Sequence, residues 1–117
     1  MTQQSQAKEI SQDQAKELRR TLGLWLKQRR EDAKLTQADL ADRLGLRYYS
    51  FVSQVENGIG RIPQHLYEGW AKALQVDRLV FGMTILEHLE PGLYAMIAPA
   101  LPQGGDGGAA EESRDPA

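Results

Sequence analysis

The chain contains no cysteine. Neither a disulfide framework nor a thiolate metal centre is available to it, and a reducing, cytoplasmic setting is expected. Long hydrophobic runs are missing as well. No apolar stretch approaches the roughly 18 residues of a membrane-spanning helix, and the opening MTQQSQAKEISQDQAKE lacks the apolar centre of a secretory signal. Neither the alternation of a β-strand nor an internal repeat is found. The histidines are two, His65 and His88, 23 residues apart with no cluster of Cys or carboxylates at metal-ligand spacing, so no metal site is expected. There is no Gly-rich phosphate loop and no nucleophile elbow. Asp39 and Asp42 are spaced as neighbours on a helix surface, where carboxylates are solvated rather than catalytic. No cofactor and no enzymatic activity are expected.

A strong overall charge is lacking too, and the net value of −2 taken alone argues against a nucleic-acid partner. The distribution argues otherwise. Residues 18–76 hold ten Lys/Arg against six acids, whereas residues 77–117 hold two Arg against seven acids. A basic centre followed by an acidic end is expected where only the centre meets phosphate.

The 117 residues suit one domain of ordinary size. Residues 1–12 are rich in Gln and Ser and are expected to be flexible. Residues 99–117, made of Pro, Gly, Ala and acids, are expected to be a disordered tail. Between them, residues 13–98 read as all-α. Leu18, Leu22, Trp25 and Leu26 form the stripe of a first helix over Asp13–Asp32. Thr36 is a good N-cap for a second helix, with Asp39 three residues on as an approximate capping box. This helix carries Leu40, Ala41 and Leu44, and Gly45 supplies the turn. A third helix is expected from Tyr48 to Glu56, with Phe51, Val52 and Val55 inward and Asn57-Gly58 at its end. Pro63 suits the first turn of a fourth helix that buries Leu66, Trp70, Ala73 and Leu74. A fifth carries Leu79, Val80, Met83, Leu86 and Leu89, and Leu93–Ile97 form a last apolar turn.

The segment LTQADLADRLGLRYYSFVSQVENG, residues 35–58, holds two short helices around a Gly-containing turn, the pattern of a helix-turn-helix. In such a unit the first helix braces on the DNA backbone and the second lies in the major groove. An αα-hairpin with a purely structural role has the same pattern. The residues themselves go further: Leu35-Thr36-Gln37, Leu40-Ala41, Leu44-Gly45 and Val52-Ser53-Gln54-Val55-Glu56-Asn57-Gly58 resemble the phage-repressor and Cro type of helix-turn-helix, the XRE family. The resemblance extends over about residues 20–80, taking in Leu26, Arg30, Pro63, Trp70, Ala71 and Leu74. It implies a compact five-helix domain, here with an extra C-terminal helical segment, and operator binding as a two-fold dimer, most often to repress transcription. Three departures stand out. The connection between Gly45 and Phe51 is one residue longer than the commonest spacing. Lys34 stands where Gly is frequent, and Arg29 stands where an apolar residue is frequent.

By the same resemblance, Gln37 bonds a phosphate and steadies the recognition helix. Tyr49, Ser50, Ser53 and Gln54 face outward to the bases, and Arg30 and Glu56 form a buried ion pair. Gln is suited to adenine, Tyr and Ser to bases or phosphates. Tyr48 fits either the interface or the core. Arg47 and Arg61 are expected to contact phosphates, which gives affinity without sequence information. The apolar residues Leu79, Leu86, Leu89 and Leu93 exceed what the core can cover and are expected at a homodimer interface. Double-stranded DNA is therefore the expected partner. The alternative is a protein-interaction module, such as the antitoxin of a toxin-antitoxin pair, whose partner would seat on the Leu79–Ile97 stretch.

Overall fold

A computed structural model describes residues 10–101. Helix α1 spans Gln12–Asp32, α2 Gln37–Arg43 and α3 Ser50–Glu56; α4 spans Tyr67–Leu74, α5 Arg78–Leu89 and α6 Pro91–Ile97. One-turn 3-10 segments occupy Gln64–Leu66 and Ala98–Ala100, and no strand occurs among the described residues. No helix among them is long and apolar enough to cross a membrane. Most of the expected flexible N-terminus, and the tail from residue 102 onward, lie outside the described residues.

Ser11 starts α1 with a full capping box: its hydroxyl accepts from the Gln14 backbone N–H, and the Gln14 amide accepts from the Ser11 N–H. Thr36 and Asp39 do the same for α2. The ends of α1 to α4 share one device. At each, two successive backbone N–H groups reach back to carbonyls left open by the last helical turn: Lys34 and Leu35, Gly45 and Leu46, Gly58 and Ile59, Gln75 and Val76. The first residue of each pair is left-handed, with φ of +65, +75, +78 and +60° respectively. Glycine meets that geometry without steric cost at positions 45 and 58; Lys34 and Gln75 adopt it despite their side chains.

The core is Leu22 and Leu26 of α1, Leu40 and Ala41 of α2, Val52 and Val55 of α3, Trp70 and Leu74 of α4, and Phe81 and Ile85 of α5. The Phe51 ring stands edge-on to Trp70, and Trp25 of α1 packs near Phe81. Helix α1 is the spine: it packs against α3 on one side and α5 on the other, while α2 bridges α3 and α4.

Two expectations are corrected, and the buried face of the fifth helix is defined. The third helix begins at Ser50 rather than Tyr48, because the longer connection after Gly45 leaves Tyr48 and Tyr49 ahead of the first helical turn. Pro63 lies before a 3-10 turn, in extended conformation, and regular α4 starts only at Tyr67. In α5 the buried side chains are Phe81 and Ile85, while Leu79 and Val80 are both 50% exposed. That helix is apolar on more than one face, so its hydrophobic pattern has no clear phase.

Candidate nucleic-acid interface

Helix α3 is held from beneath by an ionic network. Glu56, at its last turn, is buried, and Arg30 of α1 grips it in a fork. Nε donates to Oε2 at 2.7 Å and Nη2 to Oε1 at 3.0 Å. The remaining Arg30 nitrogen, Nη1, donates to the Leu35 carbonyl at 2.7 Å. The hydrogen bond to Glu56 raises the Arg30 pKa above its ordinary value, against the opposing effect of burial. Gln37 completes the network: its Nε2 donates to Glu56 Oε1 at 3.0 Å. Thr36 as N-cap places Gln37 in the first turn of α2, where its side chain reaches across to α3. One carboxylate thus ties together α1, α2 and α3.

The opposite face of α3 is differently built. Ser50 and Gln54 are exposed and Ser53 half-buried. Before the helix, Arg47, Tyr48 and Tyr49 all stand in solvent, with Tyr48 67% and Tyr49 57% exposed. Of the two readings of Tyr48, core and surface, the structure has the surface one. Two shallow concavities meet at Tyr49 and Ala38. One, of about 360 Å³, includes Thr36 and Gln37; the other, of about 180 Å³, includes Arg47 and Tyr48. Gln37, Arg47, Tyr48 and Tyr49 are therefore brought onto one continuous surface running from α2 to the start of α3. Arg47 has no ion-pair partner among the described residues.

Arg61 is placed differently. It follows Gly60, which lies beside the Gln54 side chain, yet its guanidinium turns to the α5–α6 corner and pairs with Glu90 at 3.2 Å. Sequence reasoning missed Glu90, since nothing in a separation of 29 residues signals the contact. It also passed over Gly23 in α1, which is buried and lets α1 lie directly on the backbone of α3's last turn. A glycine inside a strong helical stripe was the available signal.

No group of three or more potential metal ligands occurs among the described residues. A groove of about 540 Å³ between α4 and α5 is lined by Tyr67, Ala71, Leu79 and Phe81 among others and shares no residue with the surface around α3. Residues 26–81 match the family model described as helix-turn-helix. No curated protein matches the chain.

Proposed function

We propose that the chain, whose residues 26–81 match a helix-turn-helix family model, is a DNA-binding transcription regulator of the XRE type, a repressor that binds an inverted-repeat operator as a homodimer. The observation that carries this reading is the asymmetry of α3. Its inner side is fixed by Glu56, Arg30 and Gln37. On its outer side the side chains of Ser50, Ser53 and Gln54 make no hydrogen bond within the domain among the described residues. A rigid helix with unspent donors and acceptors is what base-edge recognition in the major groove requires. Tyr48, Tyr49 and Gln37 border the same surface and contribute backbone or base contacts in this reading; Arg47 and Arg61 contribute phosphate contacts. It is a binding protein and not an enzyme.

The dimer rests on α5 and α6. Leu79, Met83 and Leu86 recur at helical spacing on the side of α5 away from Phe81 and Ile85, and Leu93 and Met96 are exposed on α6, Met96 by 78%. Leu89 packs against the core instead, so the interface we propose centres on Leu79, Leu86 and Leu93. Two-fold symmetry puts half-sites about 10 bp apart.

The test is selection of duplexes from a random pool, followed by titration of the selected and random DNA. Gln54→Ala is expected to cost about 1–3 kcal/mol on the selected site and relax preference at one base pair, with little effect on random DNA. Equal weakening of both would show that α3 is not the reading element. A monomer at high micromolar concentration, both free and on DNA, would refute the dimer and leave the α5–α6 face to a different protein, as in an antitoxin.

A further inference from the structure

We propose that Glu90 is a built-in competitor for DNA phosphate at Arg61, setting how tightly the domain holds duplexes of any sequence. The inference rests on the reading of Arg61 as a backbone contact. Three observations lead to it. First, Arg61 Nη2 lies 3.2 Å from Glu90 Oε2, and both side chains are 55% exposed, so the pair is open to exchange with an incoming anion. Second, Glu90 is fixed by its backbone. It forms the corner between α5 and α6, donating its N–H to the Leu86 carbonyl at 2.9 Å and accepting from the Tyr94 N–H at 2.8 Å. Third, although Glu90 stands at the N-cap position of α6, its carboxylate makes no capping bond there and goes to Arg61 instead. A narrow cleft lined by Ala15 and Arg19 of α1, by Arg61, and by His88, Leu89 and Pro91 adjoins the pair.

A carboxylate satisfies a guanidinium in the same way a phosphate does, by charge-assisted N–H···O bonds. A phosphate that takes the Nη2 donor must displace Glu90, and one bound at the other guanidinium N–H groups still meets the negative charge of the carboxylate beside it. An exposed ion pair is weak, so the penalty is modest, about two- to five-fold in affinity. It is also indifferent to sequence, because phosphate contacts carry no base information. Arg47, exposed and without an ion-pair partner among the described residues, bears no such penalty. The two cations are therefore not equivalent: one is available at once and the other is held back.

The experiment uses the full chain and a random-sequence duplex, comparing Glu90→Gln with Glu87→Gln. Glu87 lies on α5, is exposed, and has no ion-pair partner among the described residues, so it reports the generic effect of removing one negative charge. Both are made in the wild-type and the Arg61→Ala backgrounds, with melting temperatures read alongside. We expect Glu90→Gln to tighten binding about two- to five-fold more than Glu87→Gln, and to steepen the dependence of log affinity on log salt by up to about one unit. In the Arg61→Ala background the two substitutions should be equivalent. If Glu90→Gln acts alike in both backgrounds, or no more than Glu87→Gln in the wild type, competition at Arg61 is overturned while the DNA-binding reading stands. If Arg61→Ala leaves the binding of a DNA-competent wild type unchanged, the backbone contact itself is wrong and the proposal falls with it. A wild type that binds no duplex refutes the functional reading and this inference together.

Discussion

Gly23 and Glu56 meet backbone to backbone: a Cβ atom at position 23 would stand 2.2 Å from the Glu56 carbonyl oxygen and 2.6 Å from its carbonyl carbon. No side chain can rotate away to relieve such a contact, so α1 and α3 would have to separate. Gly23→Ala is expected to destabilise the domain by about 1–3 kcal/mol, the cost of overpacking, despite alanine's better helix propensity. Gly82→Ala in α5 is the control. There an added Cβ meets nothing within 4 Å, and the gain should be about 0.5–1 kcal/mol. Urea unfolding of the two variants measures both, and equal signs would contradict the packing described.

The left-handed turns give a second pair of opposite signs. Lys34→Gly and Gln75→Gly relieve a side chain at positive φ but add freedom to the unfolded chain. Each is expected to stabilise by about 0.5 kcal/mol. Gly45→Ala introduces the same steric cost at φ +75° and should destabilise by about 1 kcal/mol. Thermal melts at fixed protein concentration would decide it; a destabilising Lys34→Gly would mean that the lysine side chain contributes more than its backbone strain costs.

Breaking the buried ion pair should be far more costly than either. Arg30→Met leaves the Glu56 carboxylate, whose side chain is only 2% exposed, without its main partner, an expected loss of about 3–5 kcal/mol. Replacing both, as Arg30→Met with Glu56→Leu, should recover most of that loss, because two apolar side chains carry no desolvation penalty. It should also free Gln37 from its bond to Glu56. A double variant as unstable as the single one would locate the cost in lost packing rather than in unpaired charge.

The capping box of α2 carries a pH signature. The Asp39 pKa is lowered, chiefly by the Thr36 backbone N–H and secondarily by the Thr36 side chain. A folded-state value below the unfolded one means the carboxylate adds stability above about pH 4, and that this contribution fades as pH falls through the lower folded value. Wild type should therefore exceed Asp39→Ala in stability at neutral pH, with the gap narrowing below pH 4. A gap that widens on acidification would reverse the sign of the linkage.

Which parts of this fold were legible in sequence depended on whether one residue type carried the information. Gly45 and Gly58 announce their turns because glycine is cheap at positive φ. Gln75 makes the same turn and announces nothing. The apolar periods of α1 and α2 had one phase and contained the buried Leu22, Leu26, Leu40 and Ala41, with Leu18, Trp25 and Leu44 half-buried. That of α5 did not, because Leu79, Val80, Phe81, Met83, Ile85 and Leu86 encircle the helix; burial of Phe81 and Ile85 is settled by where α1 and α4 lie. The start of α3 depended on how the four residues between Gly45 and Ser50 span a gap, a matter of tertiary spacing rather than local propensity. Contacts such as Arg61 with Glu90 arise only once distant elements have docked.

One consequence of the two-sided α3 concerns change over evolutionary time. Glu56 shares its carboxylate among three helices, so almost any replacement there disturbs the whole domain. The side chains of Ser50, Ser53 and Gln54, on the same helix, make no hydrogen bond in the fold among the described residues, and exchanging them should shift stability by no more than about 0.5 kcal/mol. The domain thus separates what must be inherited intact from what is free to drift. If these three side chains read the target, as proposed, a lineage carrying this scaffold can acquire new targets by rewriting them, without first accumulating a reserve of stability.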